Sequence, residues 1–159
     1  MADSTTDGRT RVYVVPTIAN IAAPTVAELN AGTDISGLLT PDGLSGFEPD
    51  TGDVDNSKLN STYSTMLPGR VSVSGPLLRL IKQIGTDTVY NTLVYNYNMN
   101  VVIRRDLTSS TAWATSQAVE VYPAACGEVR NIAPEGNSVH KYEVPLKITS
   151  QPNLRATTA

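Results

Sequence analysis

The chain contains a single cysteine, Cys126, and a single histidine, His140. One cysteine excludes a disulfide within the chain, and the pair together cannot build a cysteine–histidine metal set. As nucleophile and base they lack any third group placed by spacing to orient them, so both read as structural or surface residues. Phenylalanine and tryptophan also occur once each, at Phe47 and Trp113, against seven tyrosines. Most of the large aromatic surface therefore carries a hydroxyl that needs water or a partner, which leans towards surfaces and interfaces. No stretch approaches the roughly 18 apolar residues of a membrane-spanning helix. The polar start MADSTTDGRTR has neither the apolar run nor the cleavage pattern of a secretion signal. The expectation is a soluble chain made in the cytosol, for which the glycosylation pattern Asn60-Ser61-Thr62 is idle.

Basic residues are missing from one long segment. Between Arg11 and Lys58 lie Glu28, Asp34, Asp42, Glu48, Asp50, Asp53 and Asp55, with no Lys or Arg among them. Residues 58–159 reverse the balance, with ten basic and six acidic residues. The two parts could attract one another between copies, or the acidic part could be a solvated loop that aids solubility. Signatures of catalysis are absent as well. GLSG (43–46) lacks the closing spacing of a nucleophile elbow, and no glycine-rich phosphate cradle precedes a Lys-Ser/Thr pair. DVDNS (53–57) starts like a calcium loop but has Lys58 where glycine is needed and Ser64 where glutamate is needed. The adjacent pair Arg104-Arg105 is a poor basis for sequence-specific nucleic-acid binding in an acidic chain.

At 159 residues the chain is about one domain. RVYVVP (11–16) reads as a strand ended by Pro16. TVAELNA (25–31) reads as a short helix, with Thr25 and Glu28 at capping-box spacing and Gly32 just past its end. From 32 to 60 glycines and prolines break any periodicity, giving a long acidic loop with room for a short strand near 37–40. RVSVSGPLLRLIKQ (70–83) mixes strand and helix spacings and is read as a strand bent at Gly75-Pro76. DTVYNTL (87–93) is a helix that Asp87 caps. Strands follow at 117–123, briefly at 129–132, and at 141–149, where Pro145 implies an edge or a bulge. The segment before residue 11 forms a polar arm, and residues 150–159 form a polar tail expected to be mobile. The fold class is mainly β, an antiparallel sandwich or partial barrel with one or two short helices.

The stretch YNYNMNVVIRR (95–105) alternates so that Asn96, Asn98, Asn100 and Arg104 fall on one side of an extended chain. Asparagine is depleted in strands, so a wet and weakly charged face is the reading. An outer surface, a polar interface between subunits and the wall of a channel all fit that description.

ELNAGTDIS (28–36), AWATSQAVEVYPAACG (112–127), EGNS (135–138) and KYEVPLKIT (141–149) together resemble the major tail protein, or tail tube protein, of long-tailed bacteriophages, especially those of actinobacteria. Trp113 with Val119, Val121, Tyr122 and Pro123 is the most specific part. The resemblance implies a β-sandwich with a flanking helix whose copies close into hexameric rings. Stacked rings would form a tube for the genome, built in the host cytoplasm and resident in the virion tail. Its partners would be itself, the tape measure, tail terminator and distal tail proteins, and double-stranded DNA in passage, with no cofactor and no catalytic residue. On that view Asp34, Asp42, Glu48, Asp50, Asp53 and Asp55 contact a neighbouring subunit, while Asn96, Asn98, Asn100 and Arg104 face the lumen. The competing reading is a virion-surface or extracellular sandwich binding carbohydrate or receptor through an exposed tyrosine platform. A small hydrolase using scattered carboxylates is the third.

Overall fold

A computed structural model describes residues 3–159; the first two residues of the N-terminal arm lie outside the described part. Apolar runs rich in β-branched residues form the central strands, and pairing with a neighbour holds the others. β1 (Arg11–Val15) is followed by β2 (Thr33–Asp34), β3 (Leu39–Ser45), β4 (Pro49–Asp55), β5 (Met66–Val73), β6 (Leu77–Ile81) and β7 (Asn98–Arg104). The last four are β8 (Ala118–Cys126), β9 (Arg130–Asn131), β10 (Lys141–Ile148) and β11 (Asn153–Thr157). Nine of them form one antiparallel sheet in the order β2-β1-β7-β8-β10-β6-β3, with β11 against β8 and β9 against β10. This sheet curls into a half-barrel.

Alternation along the strands sends side chains into two cores, one on each face. Val12, Val14, Val101, Ile103, Tyr122, Leu146, Leu78 and Leu80 pack on one side with Phe47 and Tyr142. Tyr13, Val15, Val102, Val119 and Val121 pack on the other with Leu29, Trp113 and Ala156. Burial of each such side chain contributes roughly 1.5–3 kcal/mol. Five of the seven tyrosines are core or near-core residues, since only Tyr63 and Tyr95 are exposed. The Tyr122 hydroxyl finds its partner inside, donating to the Phe47 carbonyl at 2.9 Å.

Both expected helices are present. In α1 (Val26–Asn30) the Thr25 side chain accepts from the Glu28 amide while Glu28 reaches back to the Thr25 amide. Glu28 also accepts from the Ala19 amide at 2.8 Å. Gly32 follows as expected, but the reason is space: a Cβ there would sit 2.7 Å from Val15 Cγ2. In α2 (Thr88–Thr92) Asp87 caps the Tyr90 amide and also accepts from the Gln83 amide, tying the helix to the end of β6.

Three expectations need correction. The 32–60 segment is not a loop: it contains β2, β3 and β4. The 70–83 segment is two strands in two sheets, with β5 leaving the body and β6 inside it, separated at Gly75-Pro76. Residues 150–159 are not a free tail: they contain β11, which pairs with β8, Ala156 is buried, and the Gln117 amide donates to the Thr158 hydroxyl at 2.8 Å. Pro145 sits inside the sheet where β10 changes neighbours, from β9 at Tyr142 and Glu143 to β8 at Leu146. Its carbonyl accepts from Gly127 at 2.7 Å at the end of the β8 ladder, so the missing N–H forgoes only a terminal rung.

Candidate assembly surface

β4 and β5 pair only with each other and form a two-stranded arm. The arm leaves the body after Ser45 and returns at Leu77. The two crossing segments touch at Gly46 and Gly75, both at positive φ, and a Cβ on Gly46 would collide with the Gly75 carbonyl. Within the arm the register slips between Thr51 and Asp53, where the single Gly52 of β4 stands against both Gly69 and Arg70 of β5. This is a β-bulge, which sharpens the twist of the ribbon. Val54 stands opposite Leu67, Asp55 opposite Met66 and Thr51 opposite Val71.

All of β4 and nearly all of β5 are exposed, including Val54, Met66, Leu67 and Val71. At the tip Leu59 is fully exposed and Tyr63 is 76% exposed. An isolated two-stranded ribbon is marginally stable in water, and its bare edges are templates for pairing. A groove of about 670 Å³ lies between the base of the arm and the β10–β11 turn, lined by Pro49, Arg70, Val71, Ile148, Pro152 and Leu154 among others.

The acidic residues divide. Asp34 pairs with Arg11 at 3.6 Å on the body. Asp42 pairs with Arg79, which also holds Glu143, and Glu143 in turn reaches Arg130 at 3.2 Å. The Thr40 hydroxyl chiefly, and the Arg79 charge to a lesser degree, hold the Asp42 carboxyl below its ordinary range. Glu48, Asp50, Asp53 and Asp55 are exposed and make no ion pair among the described residues. The last three line β4 of the arm.

The asparagine row also divides. Asn96 precedes β7 in a turn at φ 63°, a left-handed conformation that asparagine tolerates better than most residues. Asn98 is exposed and Asn100 half-buried, its amide 3.5 Å from the Val15 carbonyl. Asn98 stands opposite Ala125, and Ala125 opposite Lys147, on the same face of the sheet. Arg104 corrects the sequence reading: it is 1% exposed and cannot face a channel. Its guanidinium donates to Gln117 Oε1 at 2.9 Å and to the carbonyls of Thr108 and Thr111 at 2.9 and 2.8 Å. It also stacks over Trp113, with Arg11 over the same ring. Burial, with Arg11 nearby, pulls the Arg104 pKa below its ordinary value. Alternation found the side of the strand but not the cover placed over it by residues 108–117.

Cys126 is buried with its Sγ 3.9 Å from Met99 Sδ, and burial pushes its thiol up to about 11. His140 is exposed. Among the described residues no group of three or more His, Cys, Asp or Glu is placed to hold a metal ion. No helix among the described residues is long and apolar enough to cross a membrane. The sequence reading did not single out Leu59, Tyr63, Met66 and Leu67 as candidate contact residues, because their signal lies in exposure, not in periodicity.

A family model described as phage tail tube protein matches residues 1–159, and the chain belongs to that family. It is a structural component of a phage tail tube. Among solved structures, a chain of the anti-feeding prophage baseplate matches with a TM-score of 0.66 at 12% identity, covering 98% of this chain and 98% of that one. The sheath/tube terminator of an extracellular contractile injection system, in its extended state, matches with a TM-score of 0.65 at 11% identity, covering 98% and 99%. The sheath-tube complex of such a system matches at 0.62 and 11%, covering 94% and 90%. These likenesses establish a shared fold. Comparison with curated proteins by sequence finds no match.

Proposed function

We propose that this chain polymerises with itself, hexameric rings stacking into a hollow tube through which double-stranded DNA passes, and that the β4–β5 arm makes the contact between rings. The observation that carries this reading is the arm itself, a ribbon with both edges bare and its large apolar side chains in water. Covering Leu59, Met66, Leu67 or Val71 on a neighbour contributes roughly 1.5–3 kcal/mol each. An exposed ion pair contributes only about 0–1 kcal/mol. Apolar area therefore supplies affinity, and Asp50, Asp53 and Asp55 set register. A contact between two different patches of the same chain is head-to-tail, and such contacts generate rings or open-ended filaments according to their rotation.

The wet face of β7, β8 and β10, with Asn98, Ala125 and Lys147, supplies the channel wall in this reading. Arg79 and Glu143, paired on β6 and β10, present little net charge to phosphate. Weak phosphate contact is what lets a polyanion slide. The role is mechanical, with no catalytic step, and the partners in the tail are tape measure, terminator and distal tail proteins. Assembly takes place in the host cytoplasm. A tyrosine-based binding module is disfavoured, because the two exposed tyrosines sit on separate elements, the arm tip and the turn before β7.

The test is the triple substitution Asp50→Asn, Asp53→Asn, Asp55→Asn, followed by negative-stain microscopy across protein concentrations. Tube growth should need more protein than in the wild type. Tubes appearing at the same concentration would overturn the assignment of the arm's carboxylates.

A further inference from the structure

Among the described residues, nothing covers the projecting apolar tip of the arm and nothing fills the apolar groove at its base. The tip is Leu59 and Tyr63, at the end of strands of seven and eight residues. The groove lies at the other end of the same arm, between Pro49 and Val71 on one side and Ile148, Pro152 and Leu154 on the other. At about 3.4 Å per residue a seven-residue strand spans roughly 24 Å. A chain therefore holds its own tip far from its own groove.

Charge matches as well as shape. Arg70 is the charged residue lining the groove, and it pairs with no carboxylate among the described residues. The distal half of the arm carries Asp53 and Asp55, equally unpaired. We propose that the groove at the base of the arm receives the arm tip of a second copy of this chain, with Leu59 and Tyr63 against Val71, Ile148 and Leu154 and Arg70 facing Asp53 and Asp55. The contact rests on the polymer reading above and deepens it, since it names the surface that the arm meets. Each copy then gives one arm and accepts one, so the contact repeats along the polymer without being used up.

The experiment is disulfide trapping in assembled protein. Leu59→Cys is combined with Leu154→Cys; both positions are exposed, so the monomer fold is undisturbed, and Cys126 stays buried and silent. Oxidised tubes of the double variant should give a ladder of covalent multimers on denaturing gels, and each single variant should give none. Tubes that form without a ladder overturn the inference and leave the polymer reading standing. A cross-link confined to single chains means the arm folds back on its own groove and also overturns it. If the wild type forms no polymer at any concentration, the polymer reading fails and this one with it. As a second readout, Arg70→Glu should raise the concentration needed for assembly about tenfold, and Asp53→Arg with Asp55→Arg should restore it. No effect of Arg70→Glu would remove the charge pairing.

Discussion

At the scale of single residues, Arg104 shows how one side chain organises a stretch with no regular structure of its own. Its fork satisfies the carbonyls of Thr108 and Thr111 and the side chain of Gln117, and Gln117 in turn bonds the Ala112 carbonyl at 3.0 Å. The result is a fixed path for residues 108–117, which then seats Trp113 over the second core. Replacing Arg104 with Met would keep the stem but leave the buried Gln117 Oε1 without its donor, while the carbonyls of Thr108 and Thr111 keep the Thr111 amide and Arg11 as partners. An unpaired buried acceptor costs about 1–3 kcal/mol. Thermal unfolding should show a marked drop in stability, and amide exchange should show residues 108–117 losing protection first. Lys at this position should rescue only part, because an ammonium lacks the planar fork. Unchanged stability in Arg104→Met would mean that the segment holds itself. None of this was legible in the sequence. An Arg-Arg pair at a strand end looks like two surface charges, and only the chain folding back over it reveals that the first is inside.

At the scale of elements, local chemistry was read well where it is local. The capping box of Thr25 and Glu28 and the cap at Asp87 are visible as spacing, and the structure places both helices there. Strands with apolar alternation, β1, β7, β8 and β10, were legible for the same reason. The arm was not. DTGDVD has the composition of a turn, because aspartate and glycine are poor strand formers, and its ladder is kept by pairing with MLPGRVSV across a bulge at Gly52 and Gly69. β11 was missed because the C-terminal segment is held chiefly through its backbone, joined by one hydroxyl: the Ser116 amide donates to the Thr158 carbonyl, the Gln117 amide to the Thr158 hydroxyl, and Thr157 and Ala159 donate to the carbonyls of Ala22 and Pro24. Since the arm packs against no other element to any comparable extent, removing it should spare the body. Pro49 and Val73 face each other across the ribbon, so residues 50–72 can be replaced by a two-residue turn. The truncated chain should unfold within about 0.5 kcal/mol of the wild type, as expected for changes away from the core, yet form no polymer by light scattering. A large loss of stability would show that the arm belongs to the fold of the monomer.

At the scale of the whole molecule, the sheet is buried on both faces only where β1, β7 and β8 meet α1, Trp113 and β11. Beyond that cover, the face with Asn98, Ala125 and Lys147 stays wet. The sequence reading of a neutral polar wall therefore survives as a proposal for Asn98 and Asn100 and does not extend to Asn96 or Arg104. Assembled tubes of Asn98→Cys should react with a small thiol reagent that enters through open ends and resist a bulky maleimide kept outside the wall. Equal reaction with both would place this face outward. The arm has a consequence for how such a column can be finished. With one projection and one recess on every copy, the two extremities of a stack are chemically unlike: one offers unclaimed tips, the other unfilled clefts. On the tip-in-groove contact proposed above, growth has a direction, and a protein built to halt it at one extremity would meet a different surface at the other.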